Sequence, residues 1–566
     1  MNTDTPLLPD QLSKLFHRLD PDADPAALAL IAELSAANQA GHVCLPLAHR
    51  AELSALRACR LVGRPGEYAP LILDEAGRLY FARHWHDEDC LSKGLLNLAR
   101  PVPMADEAAL ADLLDRLFPG DGEADRQKMA AALAARQRLM VISGGPGTGK
   151  TTTVVRLLAL LAALSPRPLV MAMAAPTGKA AARLSESVRA ARDRLDVEES
   201  VRRQLPGQAE TLHRLLGLRP GAEAPRHHAG NPLPLDVLVV DEASMIDLSL
   251  MARTVEALPS QARLILLGDR DQLASVEAGA VLGELCQRIA YREVTLQWLS
   301  RVCGFPVDLD EAEEAMGGGL VDCVALLTRS HRFGADSGIG ALARFVNAGE
   351  VEPALAILRA EGYADVAMSA AWSDAELVGR RRGYLQAVES GASPDEVQRA
   401  FSAFMLLAAE RRQVADCNQR FEAVLEERGI KQPGRDWYPG RPVMISENDY
   451  GLGLFNGDIG FTLMRRDGLR VLFPSSDGGW REFAPGRLPA HDTVFAMTVH
   501  KSQGSEYEEV WLLLPQQAGA SLNRALLYTA ITRARQRFAA IGADEVWREG
   551  MQRAPQRLSG LADRLR

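Results

Sequence analysis

Leu139-Met-Val-Ile142, Ser143-Gly144-Gly-Pro-Gly-Thr-Gly-Lys150-Thr151 and Thr152-Thr-Val-Val-Arg-Leu-Leu-Ala-Leu-Leu-Ala-Ala-Leu164 follow one another as an apolar strand, a glycine-rich turn and a helix. The turn fits G-x-x-x-x-G-K-[ST] in the setting that motif requires, after a buried strand and at the opening of a helix. Glycines let backbone N–H groups curl around phosphate oxygens, and the helix N-terminus adds its positive end. The candidate nucleotide cradle is Gly144, Gly145, Pro146, Gly147, Thr148, Gly149, Lys150, Thr151 and Thr152. Lys150 is placed to reach the β- and γ-phosphates of ATP, and the Thr151 hydroxyl to bind Mg²⁺.

Further apolar β-branched runs flank this one: Pro168–Ala174, Val237–Val240 and Arg263–Leu267, with helical segments between them. Continuous apolar runs bounded by turn residues predict strands buried on both faces, as in a parallel sheet covered by helices. Asp241-Glu242 follows Val237–Val240, where Asp241 can hold Mg²⁺ through water and Glu242 can orient or deprotonate an attacking water. Residues 219–234 carry Pro, Gly and His, and read as a loop or hairpin projecting from the sheet. The α/β pattern returns after residue 335, with helices over 339–349 and 351–360 and a strand at Phe404–Leu407. Residues 434–489 interrupt it with short strands and turns such as Asp467-Gly468 and Asp477-Gly478, a small inserted β-barrel. Three domains are expected: residues 1–105, Leu/Ala-rich and helical in spacing, with a strand-like piece at Tyr68–Asp74 and a strand entering a helix at Leu79–Trp85, for partner binding; 106–335; and 336–566. The crowded His84, His86, Asp87, Glu88, Asp89 and Cys90 read as a polar loop, because metal ligands need a spacing that lets them converge.

The remaining composition excludes more than it assigns. The 566 residues are 47% hydrophobic and 24% charged, an ordinary globular balance. With a net charge of −9, any nucleic-acid surface must be a local groove and not a basic coat. No apolar run approaches the ~20 residues of a membrane span. The start, MNTDTPLLPDQ, lacks the basic and apolar regions of a secretion signal, and the seven Cys form no CxxC pair. A reducing cytoplasm is the expected compartment.

Several short stretches together resemble superfamily 1 helicases. Asp241-Glu-Ala-Ser-Met245, Gly268-Asp-Arg-Asp-Gln-Leu273 and Val499-His-Lys-Ser-Gln-Gly504 are similar to motifs II, III and V, and Thr529-Ala-Ile-Thr-Arg-Ala-Arg535 to motif VI. Ala175-Pro-Thr-Gly-Lys-Ala180, Thr211-Leu-His213 and Leu454-Phe-Asn-Gly-Asp458 take the form seen in the RecD family, the helicase subunit of RecBCD-type enzymes. The resemblance runs from about Gln127 to Arg537. It implies two RecA-like P-loop motor domains, a helical N-terminal domain and an SH3-like barrel.

The resemblance also implies roles for single residues. Gln127 matches an adenine-recognising glutamine, Gln272 a γ-phosphate sensor, and Arg332 and Arg533 arginines that stabilise the transferring phosphoryl group. Glu506 is positioned to accept from a ribose hydroxyl, and Arg535 reads as a flanking structural cation. Thr177, Lys179, Thr211, His213, Thr498, His500 and Ser502 are the polar groups offered to a DNA backbone. Phe333, Tyr450 and Tyr507 are aromatics either for base stacking or for the core. The implied activity is ATP-dependent 5′→3′ unwinding of duplex DNA from its ends by a heterotrimer with RecB-like and RecC-like subunits, in double-strand-break repair. Residues 1–105 would dock on the RecC-like partner. No helix-hairpin-helix region of the longer free-standing relatives and no acidic nuclease constellation is legible. A free-standing helicase, an RNA helicase and a scaffold with a vestigial ATP site remain as alternatives, although Lys150, Asp241, Glu242, Gln272 and Arg533 are all intact.

Overall fold

Two parallel sheets organise the chain. The computed structural model describes residues 7–48, 50–103, 106–120, 125–219, 224–307, 313–314, 319–334, 336–359, 362–449, 451–475 and 478–566. Tyr450 and Asp477, named above, lie outside these residues, as do positions 220–223 of the projecting loop.

A small sheet comes first, from β1 (Cys44–Pro46), β2 (Val62–Gly63), β3 (Leu71–Leu73) and β4 (Arg78–Phe81), in the order β1-β4-β3-β2. The N-terminal segment is therefore mixed, with β3 and β4 in the strand-like stretches at Tyr68–Asp74 and Leu79–Trp85 and β1 and β2 unforeseen. Its strands are two to four residues long, too short to show a period of two in the sequence. Helices Leu7–Leu19 and Pro25–Gln39 pack with it around Phe16, Ile31, Leu34 and Leu71.

The His84–Cys90 run is not a loop but part of a helix, Ala82–Leu98. Trp85, Leu91, Leu95 and Leu98 are buried on its inner face, which packs against helix Leu248–Glu256 and joins the core of the first large sheet. Its charges misled because Glu88 is not solvated. Glu88 is 0% exposed and accepts from Tyr80 Oη, Ser559 Oγ, the Gly560 N–H and Arg564 Nε.

The first large sheet contains β5 (Leu139–Gly144), β6 (Met171–Ala175), β7 (Glu210–Thr211), β8 (Val237–Val240) and β9 (Arg263–Gly268). After a two-residue pair, β10 (Ala290–Tyr291) with β11 (Glu313–Glu314), β12 (Val324–Leu327) completes it. The order is β12-β5-β9-β8-β6-β7, parallel throughout. All of β5 and β8 is buried, as the continuous apolar runs require.

The second sheet is also parallel. Its strands are β13 (Val366–Ser369), β14 (Phe404–Ala408), β20 (Ala496–Thr498), β21 (Tyr507–Leu513) and β22 (Ala534–Ile541), ordered β13-β22-β21-β14-β20. Between β14 and β20 the chain builds a five-stranded antiparallel sheet. It is formed by β15 (Pro442–Ile445), β16 (Ile459–Arg465), β17 (Gly468–Pro474), β18 (Trp480–Phe483) and β19 (His491–Thr493). Gly468, at φ +114°, makes the β16–β17 turn that Asp467-Gly468 foretold. Among the described residues all seven Cys are free thiols, and no helix is long and apolar enough to cross a membrane.

The C-terminal residues return to the N-terminal segment and strap it to the first sheet. Leu558 O accepts from Val43 N–H, Arg557 donates to Ser275 O, and Arg78 pairs with Asp563 at 2.7 Å. Ser559 Oγ lies 2.9 Å from Glu88 and 2.8 Å from Glu284. One hydroxyl hydrogen serves one carboxylate only, so the second contact needs a protonated acid that donates to Oγ. Burial, with Glu88 adding to it, pushes Glu284 up to about 7, so Glu284 carries that proton. The folded state thus holds the proton more tightly than the unfolded one. Stability falls as pH rises from 4.5 towards about 7, and the penalty is complete above that. Glu284→Gln keeps the donor without the titration. Its stability relative to the parent should improve by about 2–3 kcal/mol between pH 5 and pH 8, read by denaturant melts at both values.

Candidate functional site

The glycine-rich turn leaves the carboxyl end of β5 and becomes helix Lys150–Leu164. Gly147 and Gly149 hold φ at +78° and +80°, which L-residues with a Cβ seldom adopt. Their bareness is also steric. A Cβ on Gly147 would lie 2.3 Å from the Arg332 Cβ, and one on Gly149 would lie 2.5 Å from the Gln127 amide nitrogen. Lys150 Nζ donates to the carbonyls of Gly144 (2.5 Å) and Gly145 (3.1 Å), holding its ammonium over the turn. Gln127 Nε2 donates to Thr148 O at 2.9 Å and opens onto a neighbouring cavity of about 490 Å³ between Asp125, Arg126, Arg329 and His331. The segment after β12 folds over the turn. His331 N–H donates to Gly147 O (2.8 Å) and Ser330 Oγ to Pro146 O (3.1 Å).

Next to the turn, at the carboxyl ends of β8 and β9, stand the acids. Such crevices outside the strand ends are where open parallel sheets bind ligands. Asp241 is half-buried beside Glu242, and desolvation with that neighbouring charge pushes it up to about 6. Glu242 is one of two non-glycine residues at positive φ among those described (+52°). A left-handed residue with a Cβ costs roughly 1–2 kcal/mol, and here the kink starts the short helix Ala243–Met245 and turns the Glu242 carboxylate into the cavity. Asp269 is held from three sides, by Tyr528 Oη (2.9 Å), Gln272 Nε2 (3.1 Å) and the Asp271 N–H (3.1 Å).

The second sheet meets this edge with its amino ends. Glu506 immediately precedes β21 and Arg533 immediately precedes β22. Arg533 is 3% exposed, and its guanidinium donates to Gln272 Oε1 (2.8 Å), Ser505 O and Thr529 O. Gln272 therefore joins Asp269 of one sheet to Arg533 of the other. Leu273 N–H donates to Thr529 Oγ1, and Gln503 Nε2 to Leu273 O, closing the same seam. Glu506 is gripped by Arg183 at 2.6 Å, Arg332 at 2.8 Å and Arg535 at 3.0 Å. Burial alone would raise its carboxyl, but the guanidiniums, Arg183 first, hold it far below the usual carboxylate range. Arg332 Nη1 is buried with no hydrogen-bond partner among the described residues. A cavity of about 300 Å³ is bounded by Lys150, Thr151, Asp241, Glu242, Gln272, Arg332, Glu506 and Arg533, the residues that the sequence placed around ATP, together with Arg183.

The residues assigned to DNA are less uniform. Thr177 and Thr211 follow the carboxyl ends of adjacent strands β6 and β7, each capping the helix behind it. Lys179 lies one residue inside helix Gly178–Arg192, and burial, then Arg183 and Arg533, pushes it down to about 8 against the pull of Asp458. His213 and His500 are held below the usual imidazole range by burial. Thr498 ends β20 with its hydroxyl accepting from Lys501 N–H. Ser502 is fully buried and donates to Val499 O, and Tyr507 is buried in the second core, so these two side chains face inward. Arg183, Ser330 and Tyr528 were not singled out from sequence. Arg183 had a signal, four residues beyond Lys179 and so on the same helix face.

Comparison with known proteins gives three matching family models. The RecBCD enzyme subunit RecD N-terminal domain covers residues 8–55, an AAA domain 127–278, and a UvrD-like helicase C-terminal domain 493–540. RecBCD enzyme subunit RecD of Mycobacterium tuberculosis is 41% identical over 548 residues, covering 94% of this chain and 87% of its own. The RecD subunit of Haemophilus influenzae is 37% identical over 539 residues, covering 88% of this chain and 81% of its own. ATP-dependent RecD2 DNA helicase of Deinococcus radiodurans is 30% identical over 583 residues, covering 97% and 70%.

The close approach of Gly147 to Arg332 makes one substitution diagnostic. Gly147→Ala brings both a strained φ and a 2.3 Å clash. Binding of a fluorescent ATP analogue should weaken tenfold or more, while far-ultraviolet circular dichroism stays as in the parent.

Proposed function

This chain belongs to the RecD family and is an ATP-dependent DNA helicase, and from that premise we propose that it is the 5′→3′ motor subunit of a RecBCD-type helicase–nuclease. The observation that carries the proposal is the Asp269–Gln272–Arg533 chain of hydrogen bonds, which places groups from both sheets on one nucleotide-sized cavity. In this reading the two parallel sheets are RecA-like motor domains spanning residues 106–335 and 336–566, and the antiparallel sheet of β15–β19 is an SH3-like barrel.

The mechanism follows from what each side chain can do. The backbone amides of residues 144–151 and the Lys150 ammonium bind the phosphates, with Gln127 on the adenine side. The adjacent half-buried carboxylates of Asp241 and Glu242, with the Thr151 hydroxyl on the same cavity, fit a divalent cation, since its charge relieves the desolvation that raises Asp241. Thr151 and Asp241 would hold Mg²⁺, which when bound would neutralise charge on the phosphates. Glu242 orients the attacking water, and Gln272 reports the γ-phosphate to Arg533. Arg332, with an unpartnered Nη1, and Arg533 stabilise the transferring group, as arginine fingers worth roughly 10³–10⁵ in rate do elsewhere.

Loop 499–506 runs from the carboxyl end of β20, beside Thr498, to the amino end of β21, where Glu506 meets the cavity. Nucleotide-driven closure at one end of that loop therefore moves the DNA-facing end. Thr177, Lys179, Thr211, His213, Thr498 and His500 grip the backbone, with Ser502 acting through the buried turn it stabilises. The loop at 219–234 would serve as a strand-separating pin.

A subunit role is supported by helix Leu7–Leu19. Leu8, Leu15 and Leu19 are 51%, 46% and 60% exposed and share one outward stripe, an apolar face suited to a RecC-like partner. The complex, completed by a RecB-like subunit that carries any nuclease, would act on duplex ends in the cytoplasm, in recombinational repair and DNA degradation.

ATP hydrolysis should rise with single-stranded DNA and vanish in Lys150→Gln. A duplex with a 5′ tail should be unwound and one with a 3′ tail should not; the reverse preference would overturn the polarity. Leu15→Glu should lower co-purification with RecB-like and RecC-like subunits at an unchanged melting temperature.

A further inference from the structure

Glu506 carries one negative charge and three guanidiniums contact it, so the cluster holds more cation than it needs. The three arginines differ in what else they do. Arg535 reaches Glu506 through both Nε and Nη2, and is within 3.7 Å of Glu508 on the outer side. Arg332 places one nitrogen on Glu506 and leaves Nη1 buried without an acceptor. Arg183 has its terminal nitrogens engaged, Nη2 on Glu506 and Nη1 on Gly504 O at 3.2 Å. Arg183 also differs in origin, since it stands on helix Gly178–Arg192 of the first sheet while Glu506 and Gly504 belong to the loop before β21 of the second.

We infer that Arg183 is a positioning residue for ATP hydrolysis: it holds the Glu506 carboxylate across the cleft so that Arg332 is free to leave Glu506 for the γ-phosphate. The inference rests on the helicase reading above. Without nucleotide, Glu506 is the anion that Arg332 faces. When ATP enters, its γ-phosphate competes with Glu506 for that guanidinium. The competition is decided by how much positive charge remains on Glu506. With Arg183 in place the carboxylate keeps two cations after Arg332 departs. Without Arg183 it keeps one, holds Arg332 more tightly, and the closed state loses its phosphate-facing arginine. Closeness to Asp241 and Glu242, which act on Arg183 electrostatically, puts the pair beside the reacting groups without touching the phosphate.

The same residue connects two sites. Thr177 caps the helix and Lys179 lies in its first turn, about 6 Å along the axis from Arg183. A strand held at Thr177 and Lys179 shifts the helix as a rigid rod, and with it the guanidinium that fixes Glu506. DNA binding thereby biases whether Arg332 is released, which gives DNA-stimulated hydrolysis a physical route.

Steady-state ATPase of the full chain, with and without an oligothymidine strand, tests this. Arg183→Gln should lower kcat at saturating DNA tenfold or more, leave the KM for ATP within about threefold, and reduce the DNA stimulation towards one. Arg183→Lys, which restores the charge with a single contact, should recover part of the stimulation. Glu506→Gln removes the anion that retains Arg332, so adding Arg183→Gln to it should cost no further kcat than Glu506→Gln alone. Wild-type stimulation retained by Arg183→Gln, or multiplicative losses in the double variant, would overturn the inference while leaving the helicase intact. An absence of hydrolysis in the wild-type chain, alone and with partner subunits, would instead remove the helicase reading and this inference with it.

Discussion

The guanidinium of Arg533 is buried and its acceptors are one side-chain amide oxygen and two backbone carbonyls, with no carboxylate in direct contact. Burial lowers its affinity for a proton, and the charges of Glu242 and Glu506 at longer range oppose that. A buried cation of this kind is tolerable only while every acceptor stays in place. Thr529 and Ser505 come from its own sheet, but Gln272 comes from the other. The position of Gln272 is in turn tied to Asp269, and Asp269 to Tyr528, which returns to the second sheet. This closed circuit fixes the distance between the carboxyl edge of one sheet and the amino edge of the other. The shape of the nucleotide cavity follows from it.

The opposed edges give the cleft a chemical asymmetry. The carboxyl ends of β5, β8 and β9 deliver the phosphate turn and the acids, because loops leaving that edge are where a parallel sheet exposes its backbone amides and turns. The amino end of β22 delivers the cation Arg533, and that of β21 the carboxylate Glu506 with the arginines that grip it. In the proposed cycle a triphosphate between them is bound by one half and capped by the other, so that bound nucleotide favours closure. The strap of residues 557–565 ties the end of the chain to Val43, Glu88 and Ser275.

Most of the first sheet and its phosphate turn were legible because their signals are local: an apolar run, glycines at required positive φ, and an acid pair after a buried strand. The second sheet was legible in outline, from Phe404–Leu407 and the motifs around Glu506 and Arg533. What escaped was everything set by contacts distant in sequence. Glu88 looked like part of a solvated acidic run, yet it is buried against Arg564, 476 residues away. Arg183 looked like one of many surface arginines, and only its partner 323 positions later, Glu506, gives it a role. Ser502 belonged to the right motif, but its hydroxyl holds the turn together and does not face outward. Short strands such as Val62–Gly63 carry too few residues to show any period at all.

The overall charge of −9 sets the last constraint. A chain that is acidic on the whole repels a polyanion at long range, so attraction must be confined to places where cations outnumber their partners. Around the nucleotide cavity Lys150, Arg183, Arg332 and Arg533 face Asp241, Glu242 and Glu506, a near balance in which the carboxylates act as placeholders. Lys179, beside this group, is already pushed down to about 8 by burial and by Arg183 and Arg533. Any further unpaired cation here would raise that electrostatic cost, and any further acid would exclude phosphate. In the proposed cycle, phosphates entering the cavity take over cations that the carboxylates held, and the released carboxylates find new partners across the cleft. Closure on that reading is an exchange of one set of ion pairs for another.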